Sequence, residues 1–141
     1  MVEGTLEPAI GYIKASNTDG DDRFGNVFSL SADGNTLAVG LWTENSVATG
    51  VNSDQSDNSV LCAVAVYMFK RHNGEWRSQA YLKASNTDRQ GGRGGFGRSV
   101  SLSADGGTLA VGADGESSAA IGINGDQYGD FAADAGAVYL Y

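Results

Sequence analysis

At 141 residues the chain has the length of one ordinary domain, enough to bury a single core. Twenty-one glycines against one proline, with 41% hydrophobic residues, exclude a collagen-like or disordered chain. Nine basic against seventeen acidic residues, net −8, exclude a nucleic-acid partner that needs a basic face.

The predicted elements run as strands along the whole chain. A first strand is expected at 9–16 (AIGYIKAS). Strands at 26–31 and 36–42 flank Ser-Ala-Asp-Gly, where Asp caps its own turn and Gly accepts positive φ. The polar segment 43–61 is too long and too Gly/Asp/Ser-rich for a simple connection. A β-branched and aromatic run at 62–71 turns through His72-Asn73-Gly74-Glu75, where Asn-Gly is a strong hairpin signal, into a strand at 76–84. Strands follow at 98–103, 108–113 and 136–141, with a second long loop at 114–134. No capped 3.6-residue apolar pattern occurs, so almost no helix is expected. No run reaches the roughly 18 apolar residues of a membrane span. The opening MVEGTLEPAIG has neither a basic start nor an apolar stretch, so no signal peptide is visible.

The chain repeats itself. YIKASNTD at 12–19 returns as YLKASNTD at 81–88, and SLSADGNTLAVG at 29–40 returns as SLSADGGTLAVG at 101–112. The second offset is 72 residues, and it also matches Glu44 with Glu116, Asn52 with Asn124 and Asp54-Gln55 with Asp126-Gln127. Each copy reads as a four-stranded antiparallel meander, which as a repeated unit suggests an all-β fold of β-propeller blades. The first blade with its leading strand spans 9–84, and the second spans 85–141. Only three strands of the second lie in the chain, and the leading strand matches the missing fourth. Two blades are short of the typically four to eight of a closed ring. Homo-oligomerisation by exchange of N-terminal strands, three chains for six blades or four for eight, is favoured over a fragment of a longer protein.

These residues carry a family resemblance. FGRSVSLSADGGTLAVGA (96–113) with GAVYLY (136–141), and FGNVFSLSADGNTLAVGL (24–41) with VAVYMF (64–69), resemble the FG-GAP repeat of integrin α chains, most closely its bacterial variety. The resemblance implies an extracellular or cell-surface adhesion-type protein. The integrin-type repeat often carries a DxDxDG calcium loop in its first hairpin. Here that hairpin holds one carboxylate, Asp33 or Asp105, too few for a cation that takes six to eight oxygens.

Candidate metal ligands lie in the long loops instead: Asn52, Asp54, Asp57 and Asn58 in the first, and Asn124, Asp126, Asp130 and Asp134 in the second. Oxygen ligands at alternate positions suit calcium, although solvated Asx turns are the commoner use of such residues. Asp19, Asp21 and Asp22 form an acidic cluster confined to the first copy. Glu44 and Glu116 are the paired carboxylates a glycosidase would need, and a structural role is preferred. His72 is expected exposed in its turn, Cys62 buried and inert, and GGRGGFG (91–97) a flexible connection rather than a phosphate loop. Trp42 and Trp76 are packing residues, or Trp42 a ligand anchor. No catalytic residue is assigned. The expected function is a non-catalytic binding or scaffold module that presents 43–61 and 114–134 to a protein or glycan. The alternatives are a self-assembling structural propeller without a ligand, and a hydrolase with acidic residues at a ring centre.

Overall fold

The computed structural model describes residues 11–56, 59, 64–87, 94–129 and 131–141. Within them the chain is all-β, with no helix. Strands β1 (Val27–Leu30), β2 (Thr36–Leu41), β3 (Ala65–His72) and β4 (Glu75–Leu82) form one antiparallel meander in that order. Strands β5 (Phe96–Leu102), β6 (Leu109–Ala113) and β7 (Ala137–Leu140) form a second, three-stranded sheet.

Side-chain chemistry sets the turns. Between β1 and β2 the Ser31 hydroxyl donates to Asp33 Oδ1 at 2.5 Å, and the same oxygen accepts the Asn35 N–H at 3.0 Å. The Thr36 N–H donates to Ser31 Oγ at 2.9 Å, and Gly34 takes φ +68°. Ser103, Asp105, Gly106, Gly107 and Thr108 repeat this turn between β5 and β6. The serine hydroxyl, then the backbone N–H, hold the Asp33 and Asp105 carboxyls below their usual range. Between β3 and β4, Asn73 and Gly74 take φ +50° and +84°, the twist a two-residue hairpin needs.

Period-two alternation gives the first sheet two apolar faces. Ala38, Val66, Met68 and Leu82 lie on one and are buried against Phe96, Leu109 and Val111 of the second sheet. Val39, Leu41, Tyr67, Phe69 and Tyr81 lie on the other, packed with Ala15, Ile13 and Phe24. Hydrogen bonds cross between the sheets, among them the Leu102 N–H to Ser29 Oγ and the Ala32 N–H to the Ala104 carbonyl, both at 3.0 Å. Close approach at the crossing requires glycine. A Cβ on Gly40 would stand 2.5 Å from the Gly97 carbonyl oxygen, and Gly97 itself has φ +83°.

The expected leading strand differs. Residues 9 and 10 lie outside the described residues, and 11–16 form no strand. Their counterparts Tyr81 and Leu82 are in a strand because they pair with β3, and among the described residues no strand pairs with 11–16. For the same reason the second sheet stops at β7 rather than making a four-stranded meander. Among the described residues no helix is long and apolar enough to cross a membrane.

Candidate functional site

Two equivalent polar clusters lie where each long loop meets its sheet. In the first, Glu44 is buried and Lys83 is fully buried, with Lys83 Nζ donating to Glu44 Oε2 at 2.5 Å. Glu44 Oε1 accepts the Ser46 N–H at 3.1 Å and Asn17 Nδ2 at 3.3 Å. The Tyr67 hydroxyl donates to Asn17 Oδ1, and Gln55 Oε1 accepts the Ser16 hydroxyl at 2.7 Å. The Glu44–Lys83 pair thus ties the 43–56 loop to the stretch that follows β4.

The second cluster repeats the main bonds of the first but not its ion pair. Glu116 Oε1 accepts the Ser118 N–H at 3.1 Å and Asn86 Nδ2 at 3.0 Å. The Tyr139 hydroxyl donates to Asn86 Oδ1 at 2.6 Å, and the Ser85 hydroxyl to Gln127 Oε1 at 2.7 Å. No lysine reaches Glu116 among the described residues. Its Oε2 accepts the Ser118 hydroxyl at 3.0 Å instead. In the first cluster the Ser46 hydroxyl donates to the Asp54 carbonyl, because Lys83 already occupies the second carboxylate oxygen.

Burial dominates the electrostatics. It pushes the Tyr67 and Tyr81 hydroxyls well above their usual range, with Glu44 adding to the effect. It pushes Tyr139 up to about 12, assisted by Glu116, and Tyr141 to about 12. These hydroxyls stay neutral at physiological pH. Burial also lowers Lys83, against the pull of Glu44.

The candidate metal ligands are held by bonds within the chain. Asn52 Oδ1 accepts the Tyr81 N–H at 2.9 Å. Asp54 Oδ1 accepts the Ser56 N–H at 2.8 Å and the Ser56 hydroxyl at 2.7 Å, and these bonds lower its carboxyl. Asp126 Oδ1 accepts the Tyr128 N–H at 2.9 Å. Asn124 shares the left-handed backbone of Asn52, φ +55° against +54°. The Asp134 N–H donates to Ser117 Oγ at 3.3 Å. Asp57, Asn58 and Asp130 lie outside the described residues, as do Cys62, Gly91, Gly92 and Arg93. Among the described residues no three His, Cys, Asp or Glu side chains converge as a metal site would require.

Asp22 is buried and accepts the Asp19 N–H at 2.7 Å, with its carboxyl raised chiefly by burial. His72 is exposed. The Arg98 guanidinium lies 5.2 Å from the Trp42 ring and 3.0 Å from Asp114, which links the two sheets. Trp76 packs against the aromatic face of the first sheet. Sequence reasoning singled out Glu44 and Glu116 but missed Lys83, Asn17, Asn86, Tyr67 and Tyr139. The signal lay in the recurrence of Lys-Ala-Ser-Asn together with the recurring Glu.

The loop 114–134 also presents large apolar side chains to solvent: Ile121, Tyr128 and Phe131 are all exposed. No family model, curated protein or solved structure matches this chain.

Proposed function

We propose that the chain is a non-catalytic binding and scaffold module of β-propeller type, related to FG-GAP repeats, that engages a protein or glycan through its long loops in an extracellular, adhesion-type role. The observation that carries this reading is the exposure of Ile121, Tyr128 and Phe131 on a loop anchored by a buried carboxylate. Large apolar side chains exposed on one loop suit an interaction site, and a loop held on a rigid sheet supplies them without a large ordering cost. The anchoring of Glu44 and Glu116 in matching internal networks supports a structural use of these carboxylates over a hydrolytic one.

The test is an array of glycans and extracellular-matrix proteins probed with the chain and with Tyr128→Ser/Phe131→Ser. Retention by the parent and its loss in the variant, with unchanged circular dichroism, is the expected result. Equal binding by both proteins, or glycan hydrolysis abolished by Glu116→Gln, contradicts it.

A further inference from the structure

The geometry points to a specific partner for the outer face of the second sheet: the first-sheet end of another copy of this chain, docked head to tail. This deepens the module reading by naming a partner. It rests on the equivalence of the two sheets and not on the ligand-display role.

The interface between the two sheets inside the chain serves as the template. On the first sheet, Val66 and Met68 are buried by the second sheet. Their equivalents one repeat later, Val138 and Leu140, are 68% and 71% exposed. On the opposing side, Val100 and Leu102 of β5 pack against the first sheet. Their equivalents Phe28 and Leu30 are 68% and 54% exposed. The chain therefore displays both halves of an interface that it already forms once internally.

Local shape agrees. Gly97 packs against Val66 and the Ala65 carbonyl of the first sheet. Its equivalent Gly25 has nearly the same backbone, φ +90° against +83°, yet a Cβ there would have nothing within 4 Å. At the matching position on the second sheet lies an open cleft of about 720 Å³, bordered by Ser99, Gly112, Gly122, Gly136 and Val138. The partner's Phe24-Gly25 turn fits this cleft as Phe96-Gly97 fits the first sheet.

Charge and backbone agree as well. Residues 50–52 clamp the end of β4 and the stretch after it in four hydrogen bonds. The Asn52 N–H donates to the Tyr81 carbonyl at 2.7 Å, the Tyr81 N–H to Asn52 Oδ1 at 2.9 Å, the Lys83 N–H to the Gly50 carbonyl at 2.8 Å and the Gly50 N–H to the Ala84 carbonyl at 3.3 Å. Gly122 and Asn124 hold the same backbone, φ +74° and +55° against +73° and +54°, beside buried Glu116. The chain has two Tyr-x-Lys-Ala-Ser segments and two such clamps, and one pair is joined internally. The remaining segment, 12–16, exposes Tyr12 and Lys14. Docked on a second copy, it places Lys14 on Glu116 as Lys83 sits on Glu44.

The contact joins two different surfaces, so it propagates until it closes. A ring of six or eight blades, within the typical four to eight, needs three or four copies. Light scattering on the eluting full chain is expected to give a mass of about three or four times 14.6 kDa. Lys14→Glu and Val138→Arg, both at exposed positions, are each expected to reduce the mass to that of one chain with unchanged circular dichroism. A parent chain that stays monomeric at high concentration overturns the proposal and leaves the face to a further repeat of a longer protein. An oligomer that neither substitution dissociates also overturns it. Loss of array binding by the loop variant, with the mass unchanged, bears on the module reading alone.

Discussion

Replacing Glu44 by Gln probes the buried ion pair with an internal control. The variant leaves Lys83, fully buried, with a neutral amide in place of its carboxylate. Removing one partner of a buried pair costs about 3–5 kcal/mol, because the other charge is left uncompensated in a poorly polarisable site. At about 2–4 °C per kcal/mol for a chain of this size, the melting midpoint falls by roughly 6–20 °C. Glu116→Gln removes the matching carboxylate, but no lysine is stranded in the single chain. The amide oxygen still accepts from Asn86 and the Ser118 N–H, so the loss is about 1 kcal/mol, that of weakened hydrogen bonds. Both variants are placed in a Lys14→Glu background, so that linkage to assembly does not mask the comparison. Urea unfolding at unchanged m-value reads the difference. Equal losses for Glu44→Gln and Glu116→Gln would refute the argument that Lys83 distinguishes the two clusters.

Three further outcomes follow from the structure. Burial raises the folded Asp22 carboxyl above its unfolded value of 3.8, so its ionisation lowers stability as pH rises through the folded value. Asp22→Asn, which keeps an acceptor for the Asp19 N–H, is expected to raise the midpoint at neutral pH and to leave it unchanged below 3.8. Equal effects at both pH values contradict this. Asp33 and Asp105 are shifted the other way, below 3.8. Their contribution is present above 3.8 and is lost as pH falls through the folded values, so Asp33→Asn/Asp105→Asn is expected to flatten the acid limb of a stability–pH curve. In the Lys14→Glu background, Gly97→Ala and Gly25→Ala each incur roughly 1–2 kcal/mol from the left-handed backbone. Gly97→Ala is expected to lose more, since its Cβ would sit 3.0 Å from Val66 Cγ2, and equal midpoints for the two would show the inter-sheet contact to be loose.

The strand positions were legible because short-range chemistry specifies them. Ser-Ala-Asp-Gly and Asn-Gly bring their own turn geometry, and the runs around Val39 and Tyr67 alternate or stay apolar as strands do. The observed bounds differ by up to three residues, as at β5, where Phe96 and Gly97 join the strand through a bulge. Residues 11–16 read as a strand for the same local reasons, but a ladder needs a partner, which local sequence does not supply. The clusters were half legible. The recurrence of Glu44 and Glu116 drew notice from the sequence, whereas Lys83 lies near the end of the predicted strand 76–84 with nothing local to mark it as buried. Its burial depends on the 43–56 loop folding back over it, a contact between residues 39 positions apart. Asn52 and Asn124 read as cation ligands because an Asn oxygen serves a metal and a backbone N–H alike. The bond from the Tyr81 N–H to Asn52 appears only once β4 is in place.

Zero-length carbodiimide coupling tests the central claim, that another chain fills the missing fourth-strand position of the second sheet and brings the lysine that meets Glu116. The reagent joins a carboxylate to an amine in direct contact, with loss of water. Peptide mass spectrometry of the cross-linked oligomer is expected to find Glu116 joined to Lys14 between chains, in addition to Glu44 joined to Lys83 within one. Recovery of the Glu44–Lys83 link alone, from a chain whose cross-linked mass remains that of a monomer, would contradict the account.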